Sequence, residues 1–495
     1  MAAEYWSRAG GVAVQLVRRR PEGALPLVVD LDRALLKVDA LHETLVALLL
    51  RRPRQAFRAM LALITRGSAA MRATLASCDV LDVEALPLRE DLVAWLREEA
   101  AAGREMHLIS AADRAIVARI AARLPLFSSC IGSDGRRDPE GARKAISLRR
   151  RFPQGFTYAV GGPSETAVWQ SASAVVFAGA PAVARRGVER LNKPVEAEFP
   201  ARNIGPGVLL EQLRLHQWSK NVLVCLPLLL AHRFADLWGW LHVLLAFGGM
   251  GLAASATYVV NDLSDLSDDR RHATKRHRPL AAGSFSGLAA LAMVPLMLVC
   301  AFTLTYAAST EAAVVLAAYL ALTLAYSLSL KRVPLLDTAV IGLLFTLRIV
   351  LGAAAVRTPP SPWLLAFSVM LFFSLAMAKR QSEIAKALRL NDTGRIARRG
   401  YQPDDVVLTL VYGISSGVAS LVISMLYITN GVATELYGDP SWLWAVPLLL
   451  YLWQMRVWLL AHRGVLDDDP IVFALKDRTS LALGAGCLLA LYLAL

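Results

Sequence analysis

The residues best placed to do chemistry form one run: Asn261-Asp262-Leu263-Ser264-Asp265-Leu266-Ser267-Asp268-Asp269, then Arg270-Arg271-His272 and Lys275-Arg276-His277-Arg278-Pro279. The run closes an apolar stretch that includes Leu244, Phe247, Ala253, Tyr258 and Val260. On a helix, Asn261, Asp265 and Asp269 stand at i, i+4 and i+8 and share one face, with Asp262 beside them. Carboxylates grouped in this way repel each other and are costly next to lipid. A divalent cation removes that penalty, and hard oxygen donors suit magnesium. The basic residues downstream would face the phosphates that Mg2+ bridges. The spacing therefore predicts a phosphate-handling Mg2+ site at a membrane surface.

Such a site needs elements to hold it. The chain has 495 residues, 56% hydrophobic and 19% charged, and these are unevenly divided. Up to about residue 205 the composition is that of a soluble domain. Beyond it, apolar segments recur at roughly 221–235, 238–260, 287–307, 311–330, 335–356, 362–378, 405–429, 441–460 and 480–495. Lengths near 20 residues match a bilayer core. The expected fold is an N-terminal α/β domain with a Rossmann-like parallel sheet, followed by an all-α transmembrane bundle of about nine helices. The first and last segments are the shortest.

The formal net charge is +13, and beyond residue 205 most of the Lys and Arg lie in loops 261–286, 331–334, 379–404 and 461–479, whereas the loops near 308–310 and 430–440 have none. This alternation follows the positive-inside rule and places the basic loops in the cytoplasm. The opening segment MAAEYWSRAGGVAVQLVRRR carries its basic residues after the apolar run, unlike a secretory leader. The expectation is an integral protein of a bacterial-type cytoplasmic (inner) membrane, with the soluble domain and active site on the cytoplasmic side. Nucleic acid is not an expected partner. The five cysteines (Cys78, Cys130, Cys225, Cys300, Cys487) are scattered and point to neither disulfides nor zinc.

In the first domain, Leu25–Asp30 and Met106–Ser110 read as buried strands, joined by Phe156–Val160 and a strand around Val175–Phe177. Helices alternate with them, which predicts a parallel sheet with its sites at the carboxyl ends of the strands. At those ends the domain, over residues 24–190, resembles the haloacid dehalogenase-like phosphohydrolases. The resemblance gives Asp30 the place of the nucleophile, Asp32 the general acid/base, Ser110 the phosphate-binding hydroxyl and Lys144 the phosphate-steadying lysine. Ala34 stands where that family has Thr or Val. In Val160-Gly161-Gly162-Pro163-Ser164-Glu165, Gly161 falls where a metal-binding Asp is expected, and only Glu165 remains. The resemblance thus implies a degenerate, structural or regulatory domain with a vestigial site at Asp30, Asp32, Ser110, Lys144 and Glu165. Arg185-Arg186, Arg190, Lys193-Pro194, Pro200 and Gly205-Pro206-Gly207 read as a linker. The expected boundaries are 1–195 for the soluble domain, 196–220 for a linker and membrane-surface segment, and 221–495 for the membrane domain.

The apolar segments and the acidic run together resemble the UbiA superfamily of intramembrane prenyltransferases. Its pattern N-D-x-x-D-x-x-x-D is met by Asn261, Asp262, Asp265 and Asp269, and a following basic Pro-Leu-x-x-Gly element by Lys275, Arg278, Pro279, Leu280 and Gly283. A second element comprises Tyr326-Ser327, Lys331-Arg332, Asp337 and Arg348. Ile341 replaces the second acid of the Asp-x-x-x-Asp pair that many aromatic prenyltransferases carry. Asp337 and Arg348 are about three helical turns apart and face one way, so they are either site residues or a buried pair. The segment Arg214 to Asn221 (with Gln217, Trp218 and Lys220), Lys379-Arg380 with Glu383, and Arg398-Arg399-Gly400-Tyr401 are similar to decaprenyl-phosphate phosphoribosyltransferase and its relatives. Asp467-Asp468-Asp469-Pro470 reads as a turn.

This resemblance implies Mg2+-assisted loss of diphosphate at Asp262, Asp265 and Asp269. Lys331 and Tyr326 join the catalytic set. Asn261, Arg278, Lys220, Asp337, Arg348, Lys379 and Arg380 are the expected substrate-binding residues. In one reading, phosphoribosyl diphosphate donates to a polyprenyl phosphate. In a second, a polyprenyl diphosphate donates to an aromatic acceptor such as 4-hydroxybenzoate. A third is a non-catalytic lipid-binding or transport protein.

Overall fold

The computed structural model describes residues 6–9, 12–15, 25–134, 141–162, 165–201, 205–390, 399–466 and 470–495. Arg398 and Asp467–Asp469, singled out above, lie outside them, as do Pro163 and Ser164. The chain divides into two compact units, residues 1–212 with 259–294, and residues 213–258 with 295–495.

The first unit is built on an eight-stranded sheet: β1 Trp6–Ala9, β2 Val12–Gln15, β3 Leu27–Asp30, β4 Met106–Asp113, β5 Ser129–Ser133, β6 Thr157–Val160, β7 Ala174–Ala178 and β8 Val195–Phe199. Their order is β1-β2-β8-β7-β6-β3-β4-β5. The six strands from β8 to β5 are parallel, and the antiparallel pair β1–β2 joins at Gln15↔Glu198. Strands β3 (LVVD) and β7 (AVVFA) are buried along their whole length, as near-continuous apolar runs must be in a parallel sheet covered on both faces. Alternation splits them between two cores. Leu27 and Val29 pack with Leu92, Leu96 and Leu108 on one face; Val28 packs with Ile109, Tyr158 and Phe177 on the other.

Strands β5 and β8 and the β1–β2 pair were not expected from the sequence. β8 falls inside the segment read as linker. Its charged residues, Glu196 and Glu198, disguise a strand whose Ala197 and Phe199 are buried. Glu196 accepts hydrogen bonds from Thr157 (2.6 Å) and Arg104 (2.9 Å), so the acid serves the sheet rather than solvent.

Residues 259–294 belong to this same unit. Arg270 pairs with Glu43 at 3.0 Å, and both side chains are buried. Arg271 pairs with Asp82. Gly283, at φ +71°, lies 3.0 Å (as a constructed Cβ) from Lys37 Cβ and Val38 Cγ1, so a left-handed turn and a close approach both require glycine there.

The second unit is helical. Among the described residues, seven helices of the chain are long and apolar enough to cross a membrane: Leu237–Ser264, Gly287–Ala308, Thr310–Leu328, Leu336–Ala355, Pro362–Arg389, Asp405–Thr429 and Pro440–His462. Seven of the nine expected segments meet this criterion, and the first and last do not. Residues 215–225 form a 3-10 helix, followed by the short helix Leu226–Leu230 with Pro227 in its first turn. The polar Lys220 and Asn221 and the missing Pro227 donor divide this stretch. The final helix, Arg478–Ala494, has 17 residues, about 25 Å, less than a hydrocarbon core of about 30 Å. Small residues let this unit pack closely. Gly352 faces the Val224 carbonyl, where a Cβ would stand 2.0 Å from the oxygen.

Candidate functional site

The acidic run does not form one uninterrupted helix. The first helix ends at Ser264, Asp265 adopts φ −96°, ψ 12°, and a second helix runs Leu266–Arg271. The i,i+4 backbone bonds survive, Asp265 N to Asn261 O and Asp269 N to Asp265 O, both 2.9 Å. The break nevertheless separates the acids. Asp262 and Asp269 are buried, Asn261 is half-buried, and Asp265 and Asp268 are exposed. Arg278 Nη1 donates to Asp262 Oδ1 at 3.2 Å and to Asp269 Oδ2 at 2.6 Å, and Lys275 Nζ lies 3.5 Å from Asp269 Oδ1. Arg270 and Arg271 turn the other way, onto Glu43 and Asp82. Of the basic residues, Arg278 and Lys275 thus face the acids.

Among the described residues, no three or more His, Cys, Asp or Glu side chains gather as a metal cage. Asp262 and Asp269, however, converge on a single cationic nitrogen. Magnesium commonly takes one or two carboxylates and completes its shell with water and substrate phosphate. This two-carboxylate donor set fits that requirement.

The cluster at the carboxyl end of the sheet lies where the chain order reverses, between β3 and β6, the position at which open α/β sheets bind ligands. Lys144 Nζ is held between Asp30 Oδ1 (2.8 Å) and Glu165 Oε1 (2.6 Å), and Tyr158 Oη donates to Glu165 Oε2 at 2.6 Å. Ser110 Oγ donates to Asp32 Oδ2 at 2.7 Å, and the Ala40 amide to Asp32 Oδ1 at 2.8 Å. Burial pulls the Lys144 ammonium down, but Asp30 and Glu165 outweigh it and hold the group above the ordinary lysine range. Burial, then Asp39, raises the Asp32 carboxyl, against the Ser110 hydrogen bond.

Gly161 is fixed by its surroundings. A Cβ there would lie 2.3 Å from Ala34 N and from Arg33 C, and 2.4 Å from Arg33 O. The loop that approaches is tied by Arg89, whose Nε donates to Ala34 O (3.2 Å) and whose backbone amide donates to Leu35 O (2.9 Å). No acidic side chain fits at position 161 while that loop keeps its place.

In the helical unit, two buried polar networks stand apart. In one, Asp337, fully buried, accepts from Arg380 Nε (2.7 Å) and Tyr401 Oη (2.6 Å), while the Leu335 amide donates to Tyr401 Oη (3.1 Å). Arg380 also pairs with Glu383, and Arg399 reaches Tyr326 Oη at 3.5 Å. In the other, Arg348 donates to Asn221 Oδ1 (3.1 Å), Leu344 O (2.7 Å) and Tyr319 Oη (3.0 Å), between the rings of Tyr319 and Phe345. Lys220 is buried, with its Nζ 6.0 Å from the Phe345 ring centre; Lys331 and Lys379 are half-buried. Asp337 and Arg348 therefore do not pair, although the sequence spacing allowed it. Tyr319 was not legible as part of either network. It is one aromatic within an apolar helix, and only the fold brings it to Arg348. A cavity of about 300 Å³ in this unit is lined by Leu223, Leu226, Ile349, Phe372, Trp453 and Cys487, among others.

Seven helices long and apolar enough to cross a membrane, one of them ending in an acid-rich run, mark an integral membrane protein. Residues 222–475 match the UbiA prenyltransferase family, and the chain belongs to it. It is similar to the uncharacterized protein y4nM of Sinorhizobium fredii, with 42% identity over 468 residues, covering 93% of this chain and 89% of that protein. It is also similar to the nodulation protein NoeC of Azorhizobium caulinodans, at 33% identity over 58% of this chain and 91% of NoeC. The decaprenyl-phosphate phosphoribosyltransferase of Mycolicibacterium smegmatis is 31% identical over 56% of this chain and 89% of its own length.

Proposed function

We propose that this protein transfers a phosphoribosyl group from phosphoribosyl diphosphate to a polyprenyl phosphate, releasing diphosphate. The observation that carries the reading is the convergence of Asp262 and Asp269 on one cation position, with Arg278 and Lys275 beside them. The similarity to decaprenyl-phosphate phosphoribosyltransferases supports the choice of donor and acceptor. Asp262 and Asp269 would hold Mg2+, with Asp265 the exposed third carboxylate. Bound there, the ion would offset the charge of the departing diphosphate. Arg278 and Lys275, which balance the two acids here, are the cations that remain to neutralise phosphate oxygens. Asn261 is a further polar contact. In the helical unit, Asp337 fixes Arg380 and Tyr401 by hydrogen bonds, and Lys220, Lys331, Lys379, Arg380 and Tyr326 are the proposed phosphate-binding and sheltering side chains. An anionic lipid phosphate is itself the nucleophile, so the transfer needs no strong general base.

The proposed arrangement is a soluble domain over 1–195, a linker to 220 and the transferase domain over 221–495, with the soluble domain in the cytoplasm. We read the soluble domain as a haloacid dehalogenase-like module without hydrolytic activity. Two features support this: Lys144 is locked between Asp30 and Glu165, and Gly161 has no room for a carboxylate.

The test is a Mg2+-dependent transfer assay on purified full-length protein. One tube holds labelled phosphoribosyl diphosphate and polyprenyl phosphate; the other holds labelled polyprenyl diphosphate and 4-hydroxybenzoate. Label entering lipid in the first tube, lost in Asp269→Ala, is the expected result. Product confined to the second tube would replace the reading with aromatic prenyl transfer.

A further inference from the structure

The two buried arginines of the helical unit differ in one respect that matters. Arg380 has carboxylate partners, Asp337 and Glu383. Arg348 has none among the described residues. Its partners are an amide oxygen, a helix carbonyl, a phenol and two ring faces, all neutral. Only about 5% of it is exposed, and it lies about 17 Å along its helix from Asp337. A guanidinium is always charged, and an uncompensated charge inside an apolar bundle is costly unless something neutralises it.

The neighbouring donors point the same way. Asn221 spends its oxygen on Arg348 Nε, which turns its amide nitrogen outward from that bond. Asn221 is almost fully buried and its Nδ2 has no hydrogen-bond partner among the described residues. Arg348 spends three of its five N–H groups on the contacts above, so further donors remain. The cluster therefore combines a fixed positive charge with unsatisfied donors and no unsatisfied acceptor. That is the complement of an anion. Asn221 and Arg348 do not themselves line the apolar cavity of about 300 Å³, but Leu223 and Ile349, next to them in the chain, do.

We propose that Arg348 and the Asn221 amide form a binding site for the anionic headgroup of an amphiphilic acceptor, a phosphate monoester carried on an apolar tail that enters this cavity. The acceptor's role rests on the transferase reading above; the binding site does not.

The experiment measures binding of farnesyl phosphate to the full-length protein in lipid nanodiscs, without Mg2+ and without phosphoribosyl diphosphate. Farnesol, inorganic phosphate and 4-hydroxybenzoate serve as comparison ligands. The informative variant is Asn221→Asp. It supplies Arg348 with a counter-ion, so the fold is retained or stabilised, while the anion loses both a donor and its charge partner. The expected result is saturable farnesyl phosphate binding that farnesol does not match, weakened roughly thirtyfold or more in Asn221→Asp, with no fall in the thermal midpoint. Arg348→Gln should weaken binding likewise. Equal binding of farnesol, or unchanged farnesyl phosphate affinity in Asn221→Asp, overturns the proposal. Preferential binding of 4-hydroxybenzoate or of inorganic phosphate overturns the lipid assignment. Because no turnover is involved, absence of transferase activity would count against the proposed reaction without touching this result.

Discussion

Replacing Lys144 by Met tests the account of the sheet-end cluster most directly. The substitution keeps the apolar stem and removes the ammonium. Two charge-assisted hydrogen bonds, 2.8 Å to Asp30 and 2.6 Å to Glu165, disappear, and both carboxylates stay largely buried. Breaking a buried pair by removing one partner costs about 3–5 kcal/mol, roughly 150- to 5,000-fold in an opening equilibrium. The loss must depend on pH. Burial already raises the Asp30 carboxyl above its usual range, with Lys144 opposing. A carboxyl whose pKa is raised in the folded state contributes stability that is complete below its unfolded value and is lost as pH rises through the folded value. The Lys144→Met penalty should therefore be largest near pH 8 and shrink toward pH 4, by about 1.4 kcal/mol per pH unit for each proton taken up. Hydrogen exchange of the β3 and β6 amides in the full-length protein reads this opening free energy. A penalty below about 1 kcal/mol at pH 8, or one that does not vary with pH, would refute the network as described.

Three further outcomes follow from the same geometry. Gly161→Asp, which restores the acid that phosphohydrolases carry, should destabilise the first unit by about 3 kcal/mol or more, because its Cβ meets the Arg33–Ala34 backbone, and should yield no phosphate release; hydrogen exchange and a phosphatase assay check both halves. Asp32→Asn should stabilise the first unit at pH 8, since burial and Asp39 penalise the ionised form, with the gain shrinking as pH falls and Asp32 takes up its proton; a gain that did not change with pH would contradict the raised pKa. In the helical unit, Tyr401→Phe removes a hydroxyl that serves Asp337 and the Leu335 amide and should cost about 1–3 kcal/mol. Asp337→Ala, which leaves both Arg380 and Tyr401 without that acceptor, should cost more, about 3–5 kcal/mol. Thermal unfolding in detergent ranks the two, and the reverse order would show that Tyr401 acts elsewhere.

Much of this protein is legible in local pattern. Apolar runs such as LVVD and AVVFA announce buried strands, and runs of about 20 apolar residues announce membrane helices, because burial and bilayer thickness act on neighbouring residues in the chain. The acid run at 261–269 and the basic run after it suggested a cation and phosphate site by residue type and spacing, and the fold brings Asp262 and Asp269 onto Arg278. What stayed hidden is what depends on distant residues. Charged Glu196 and Glu198 concealed β8; the partners of Glu196, Arg104 and Thr157, lie some 40 to 90 positions away. Helical spacing placed Asp337 and Arg348 on one face, but it could not choose their partners. The fold gave Asp337 to Arg380 and Tyr401, and Arg348 to Asn221 and Tyr319.

The sequence by itself determined which residues carry charge, which segments are apolar enough for a core or a membrane, and which acids lie within a turn or two of each other. Only the tertiary structure decided which charges are neutralised. It closed Lys144 onto Asp30 and Glu165, pressed the Arg33–Ala34 backbone against Gly161, split the acidic run at Asp265, and gave Arg348 no carboxylate among the described residues. Pairing of buried charges is settled by atoms brought within about 3 Å from remote parts of the chain, and a Coulomb interaction in a low-dielectric interior is decided at that range.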